Sequence, residues 1–143
     1  MALRFLLDTH VVSELTKPHP NLGVLQALAQ HEAVCAISAP TLEELVFGCH
    51  RLVPGARRDW LLRWLQGLPA RLPVLPFDQL AAAWLGAERA RLAGLGRPAP
   101  RTDGEIAAVA VSQGLILVTC NTQDFGGFPG LLVIDWHTAA GTG

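Results

Sequence analysis

The chain has 143 residues, half of them hydrophobic and 16% charged, with a formal net charge of −1. That length suits one domain with one core, long enough to bury roughly two-thirds of its unfolded surface. The near-neutral balance excludes the global positive field that drives indiscriminate phosphate binding, so any nucleic-acid contact has to be local.

The apolar excess is high for a soluble monomer and points to surface covered by a partner. Of the basic residues only Lys17 is a lysine, while Arg57, Arg58, Arg97 and Arg101 lie in or beside expected loops. Cys35, Cys49 and Cys120 are odd in number and widely spaced, which fits neither a zinc site nor a disulfide framework, and reduced, buried thiols are expected. The opening run MALRFLLDTH has too few apolar residues before Asp8 for a signal peptide or a membrane span, so a cytoplasmic protein without membrane contact is expected.

In chain order, Leu3 to Leu7 reads as a buried strand ending at Asp8. A helical stretch from Val11 to Thr16 is stopped by Pro18 and Pro20. Asn21 is a suitable N-cap for a helix through about Gln30, and Ala33 to Ile37 forms a second strand. The Thr41-x-x-Glu44 spacing suggests a capping box that opens a helix toward Arg51. From Arg57 to Leu68 the set Trp60, Leu61, Trp64, Leu65 and Leu68 repeats at helical spacing, and its tryptophan stripe faces either the core or a partner.

A short strand at Val74 to Leu75 leads to a helix capped by Asp78 and running to about Ala93. GLGRPAPR, Gly94 to Arg101, is a loop. A helix starting near Asp103 ends at Gly114, which suits a left-handed C-terminal cap. Strands follow at Leu115 to Val118 and Leu131 to Ile134. This alternation of strands and helices indicates βαβ units around a mainly parallel sheet. One domain through residue 137 and a flexible tail over residues 138–143 are expected.

The informative acids are those that follow a strand or open a helix. Asp8 follows the first strand, Glu44 sits in the helix after the second, Asp103 opens a later helix, and Asp124 follows the strand after that. In an open parallel sheet these positions converge outside the carboxyl ends of the strands. Carboxylates gathered without cationic partners repel one another, and a divalent ion relieves the repulsion. Hard oxygen ligands suit Mg2+ or Mn2+, and the natural chemistry is phosphodiester hydrolysis with one ion or two. Other roles stay open at each position: Asp103 as a helix cap, Asp124 as a turn former, and Glu43 in place of Glu44.

Read together, four segments carry a resemblance. LLDTHVVSEL at Leu6 to Leu15, SAPTLEELVFG at Ser38 to Gly48, TDGEIAAVAVSQGLILVT at Thr102 to Thr119 and NTQDF at Asn121 to Phe125 resemble the PIN-domain family, in particular VapC toxins of the FitB-like kind. The resemblance implies a three-layer α/β/α fold with a central, mainly parallel sheet of four to five strands. It selects Glu44 over Glu43 and implies that Asp8, Glu44, Asp103 and Asp124 bind Mg2+ or Mn2+ and catalyse hydrolysis of RNA. Thr9, His10, Thr119 and Asn121 are then the groups that orient carboxylates or waters.

The family implies in addition a VapB-type antitoxin that blocks the acidic pocket, and a homodimer or a toxin–antitoxin hetero-oligomer. His10 stands where many members have asparagine; it either replaces local hydrogen bonds at a helix start or approaches the metal site and favours Mn2+. A phosphotransfer receiver domain would need a lysine after a late strand, and a dehalogenase-type phosphatase a second aspartate where His10 stands. An inactive PIN-like binding module, for RNA or protein, is a third reading, against which the presence of all four acids argues.

Overall fold

A computed structural model describes residues 2–138 of the chain. Five parallel strands, β1 (Phe5–Leu7), β2 (Cys35–Ser38), β3 (Val74–Leu75), β4 (Ile116–Val118) and β5 (Val133–Ile134), form one sheet in the order β3-β2-β1-β4-β5. Helices α1 (Thr9–Glu14), α2 (Leu22–His31), α3 (Ala39–His50), α4 (Ala56–Arg71), α5 (Gln79–Gly94) and α6 (Arg101–Gln113) cover its two faces. The result is the three-layer α/β/α arrangement expected from sequence. No described helix is long and apolar enough to cross a membrane.

Both faces of a parallel sheet are covered, so its strands are unbroken apolar runs rather than alternating ones. Phe5, Leu6 and Leu7 are all buried. The pleat sends Phe5 and Leu7 into a core with Ile37, Val24, Leu65 and Leu68, while Leu6 joins a second core with Ala36, Leu85, Ile106 and Phe125. All three cysteines are free thiols; Cys35 and Cys49 are buried as expected, Cys120 is exposed, and burial, with the nearby Glu32, pushes the Cys35 thiol up to about 12.

Several boundaries differ from the sequence reading. The first helix begins at Thr9 rather than Val11, because the Asp8 carboxylate itself caps it. The residues read as the start of the second strand form a 3-10 turn at Glu32–Val34. The helix after that strand is capped by Ser38, whose hydroxyl accepts from the Thr41 amide at 3.2 Å, and not by a Thr41–Glu44 box. Pro40 at the helix start fits this earlier cap, since the first turn needs no amide donor. The next helix runs on to Arg71, with Pro69 accommodated near its end.

The tryptophan stripe faces the core except at its first residue: Leu65 and Leu68 are buried, Leu61 and Trp64 pack against the same core, and Trp60 is 41% exposed with Arg57 stacked on its ring. The sixth helix begins at Arg101, which places Asp103 inside its first turn, and Gly114 closes it at φ 68°. Thr138 bonds through its amide to the Asn21 side chain at 3.0 Å, and the remainder of the expected tail, residues 139–143, lies outside the described residues.

Ser38 is wholly buried and its hydroxyl holds both the amide and the hydroxyl of Thr41. Ser38→Ala is expected to cost about 1–2 kcal/mol of stability, read as a lowered urea midpoint at unchanged m-value. An unchanged midpoint would show that Ser38 does not cap the helix.

Candidate active site

The chain leaves the central strand β1 toward β2 and β3, then crosses back so that β4 lies on the other side of β1. Where the connections diverge, the carboxyl ends of β1 and β4 open a crevice, the usual location for a site in such a sheet. Asp8 stands at that point. Its backbone N–H extends the sheet to the Val118 carbonyl at 2.9 Å, and its side chain is the N-cap of α1.

Asp8 is only 4% exposed, and both of its oxygens are occupied. Oδ1 accepts from the Thr9 amide at 2.8 Å and Oδ2 from the Thr119 hydroxyl at 2.7 Å, while Thr119 in turn accepts from the Asn121 amide at 3.1 Å. A short loop after β4 is thereby tied to the end of β1. No basic side chain pairs with Asp8 among the described residues. A buried carboxylate held by neutral donors in a fixed orientation suits a ligand that brings positive charge.

Glu44 projects from the second turn of α3, where its Oε1 accepts from the Thr9 hydroxyl. Thr9 therefore touches two of the acids, through its amide to Asp8 and its hydroxyl to Glu44. Geometry now separates Glu44 from Glu43: both are exposed, and only Glu44 makes this contact. Asp103 lies in the first turn of α6, whose cap, Pro100, offers no side-chain bond, so Asp103 is not the N-cap. Asp124 is exposed in a 3-10 turn at Thr122–Phe125, anchored by the fully buried Phe125, and its side chain has no hydrogen-bond partner among the described residues.

The Asp103 carboxyl reports on how close these groups are. Burial, then the charges of Asp8, Asp124 and Glu44, push it from the ordinary 3.8 up to about 6, with His10 acting in the opposite sense. All four predicted acids thus bear on one locus. Among the described residues, no three His, Cys, Asp or Glu side chains are drawn together tightly enough to enclose an ion by themselves. Their donor chemistry, carboxylate oxygens without a cationic partner, fits a hard divalent cation nonetheless.

The groups expected to orient the acids divide. Thr9 and Thr119 grip carboxylates directly, and Asn121 supports Thr119 through its backbone. The His10 ring is exposed and bonds no carboxylate among the described residues. Two participants escaped the sequence reading. Thr41, wholly buried, lies 3.4 Å from the Thr9 hydroxyl and is fixed by Ser38; the signal was Ser-Ala-Pro-Thr at a helix start. Glu14, an acid inside the first motif, is buried in a contact with Lys17 described below.

Residues 5–128 match the family model described as the PIN domain. The chain belongs to the PIN-domain family. Within that family its relatives are VapC ribonuclease toxins. It is 37% identical over 134 residues to the tRNA(fMet)-specific endonuclease VapC of Shigella flexneri, covering 94% of this chain and 98% of the relative. It is 32% identical over 140 residues to Toxin FitB of Neisseria gonorrhoeae, covering 92% and 98%. Among solved structures, FitAcB from Neisseria gonorrhoeae matches with a TM-score of 0.84 at 32% identity, covering 94% of this chain and 99% of that one. DNA-bound VapBC from Salmonella typhimurium matches at 0.81 and 33%, covering 94% and 98%.

Because Asp103 keeps its proton to about pH 6 when folded and releases it near 3.8 otherwise, the folded chain binds more protons between these values. Stability contributed by protonated Asp103 is complete below the lower value and is lost as pH rises through the upper one. Chelator-treated wild type is expected to lose thermal stability relative to Asp103→Asn from about pH 4 to about pH 7. Parallel melting curves across that range would show that the other acids do not bear on Asp103.

Proposed function

We propose that this PIN-domain chain is a Mg2+- or Mn2+-dependent endoribonuclease, held in check by a VapB-type antitoxin and acting on RNA in the cytoplasm. The observation that carries the reading is the Asp103 carboxyl, raised by burial and then by the charges of Asp8, Asp124 and Glu44. Asp8, Glu44, Asp103 and Asp124 would hold the metal. When bound, it polarises a phosphoryl oxygen and lowers the pKa of a water, the two demands of phosphodiester hydrolysis.

The chain's own residues supply position. The Thr119 hydroxyl and the Thr9 amide fix both Asp8 oxygens, so that carboxylate offers its remaining lone pairs in one direction. The Thr9 hydroxyl sets Glu44 relative to Asp8. Asp103 enters from the opposite layer on the rigid start of α6, and Phe125 pins the turn that carries Asp124. A phosphodiester entering the crevice meets acids whose geometry is set in advance, which is where catalytic advantage lies.

The relatives suggest the RNA to try first, since two of them are named for cleavage of tRNA(fMet). They suggest the partner as well, since the matching structures are VapBC and FitAB complexes. A groove of about 260 Å3 between α1, α3 and α4, walled by Leu45, Leu61 and Trp64 and reaching Thr9 and Glu44, suits an apolar antitoxin segment. Phe47, 61% exposed on α3, extends the apolar surface. The expected homodimer belongs to the same proposal.

Antitoxin-free protein with Mg2+ or Mn2+ is expected to cleave a panel of tRNAs and unstructured RNAs, and Asp8→Asn and Asp103→Asn to lower the rate at least about a thousandfold. Equal degradation by wild type and Asp8→Asn would overturn the site assignment. Expression of this chain alone is expected to arrest bacterial growth, with relief on co-expression of its antitoxin. Normal growth at high expression would remove the toxin role and leave the nuclease one.

A further inference from the structure

The acid cluster leaves unused a second cavity beside it. Ser13 of α1 lines both the apolar groove and this space of about 330 Å3, whose other walls are His10, Lys17, Cys120, Asn121 and His137 over the carboxylate of Glu14. It adjoins the active site through residues on both sides: His10 lies two positions from Asp8 on α1, and the Asn121 amide donates to the Thr119 hydroxyl that holds Asp8. None of these walls is apolar core. Polar side chains line it, although much of its wall surface is carbon, and among them is the chain's one lysine.

Lys17 is placed there by construction. Its ammonium donates to Glu14 Oε2 at 2.5 Å, while Glu14 Oε1 accepts from the Asn21 amide at 2.9 Å. His137, 4.0 Å from Glu14, closes the opposite wall from the segment after β5. The Glu14 side chain is 10% exposed and that of Lys17 56%, so an entering anion meets the ammonium ahead of the carboxylate. Two of the three ammonium protons remain for a ligand. Across the cluster, beside Asp124, Arg91 is already closed onto Glu88 and the Gly127 carbonyl.

An RNA strand with one phosphate at the acids must set the neighbouring phosphate close to four carboxylates, in a chain with no global positive field to offset them. We propose that the Lys17 cavity is a substrate subsite that takes the phosphate next to the scissile one, with the ammonium as its counter-charge and His10 and Asn121 as polar walls. This rests on the ribonuclease reading and names where the strand leaves the acids. Lys17 is then a substrate-binding residue, and Glu14 positions it.

The test uses the full chain and a short single-stranded oligoribonucleotide spanning a mapped cut, in all-phosphate form and with one neutral methylphosphonate linkage on the 5′ or the 3′ side of the cut. Lys17→Gln is expected to raise KM about tenfold with kcat within about twofold, Lys17→Arg to restore it, and the salt dependence of kcat/KM to flatten by about 0.7 in log–log slope. For wild type, one of the two methylphosphonates is expected to produce the same rise in KM, and Lys17→Gln to add nothing on that substrate. This arm needs no altered protein, so a folding defect in the variant leaves the proposal testable.

Unchanged KM and salt slope in Lys17→Gln, with wild type indifferent to both neutral linkages, would overturn the subsite while the nuclease reading stands. A Lys17→Gln that handles RNA normally and binds antitoxin more weakly would overturn it too, by assigning the cavity to the protein partner. Binding of the same oligonucleotide, followed by fluorescence anisotropy, separates the two ideas. Wild type that binds without cutting, and loses affinity in Lys17→Gln, would sink the nuclease reading and keep the subsite.

Discussion

Repulsion among carboxylates gathered at one end of the sheet is the constraint around which the structure is arranged. Asp8, Glu44, Asp103 and Asp124 come from four separate stretches of chain, and each is held in place by something other than its neighbours in the set. A helix cap and a strand-end threonine hold Asp8, a threonine hydroxyl holds Glu44, a helix first turn carries Asp103, and a buried phenylalanine anchors the turn of Asp124. The fold keeps like charges close, and burial together with the charges of Asp8, Asp124 and Glu44 appears as the raised Asp103 carboxyl.

Thr9 and Thr119 show how economically that rigidity is achieved. Each hydroxyl joins two structural elements: Thr9 ties α1 to α3 through Glu44, and Thr119 ties the end of β4 to the end of β1 through Asp8. Neutral donors orient the acids without cancelling their charge, which an arginine or lysine in the same place would do. The negative charge of the site is therefore left uncancelled by its orienting groups. Ser38 and Thr41 extend the same device one layer deeper, beneath Thr9.

Around this charged centre the surface differs from side to side. One side of α1 faces an apolar groove with Trp64, the other a cavity lined by Lys17, His10 and Asn121, and Ser13 touches both. A helix of only six residues thus separates a surface suited to a protein segment from one suited to a polyanion. Trp60 and Phe47, on the helices that flank the groove, are exposed as well.

Much of this was legible in the sequence, for identifiable reasons. Short apolar runs alternating with helical spacing specify a covered parallel sheet, because only that arrangement buries both faces of Phe5, Leu6 and Leu7. An acid at the end of such a run is conspicuous because its burial is costly, so Asp8 stood out early. Local pattern could not separate Glu44 from Glu43, nor a ligand at Asp103 from a helix cap; the family likeness chose, and geometry gave the reason, in the reach of Thr9 and the helix start at Arg101. Local pattern likewise put the cap of the third helix at Thr41, where in the structure Ser38 is the cap. What the sequence by itself determined were elements and chemistry, since both depend on neighbours in the chain. What only the tertiary structure decided was which side chains share a space: Thr119 with Asp8, Ser38 beneath Thr9, and Lys17 with His137, pairs separated by up to 120 positions whose meeting depends on strand order and on nothing local.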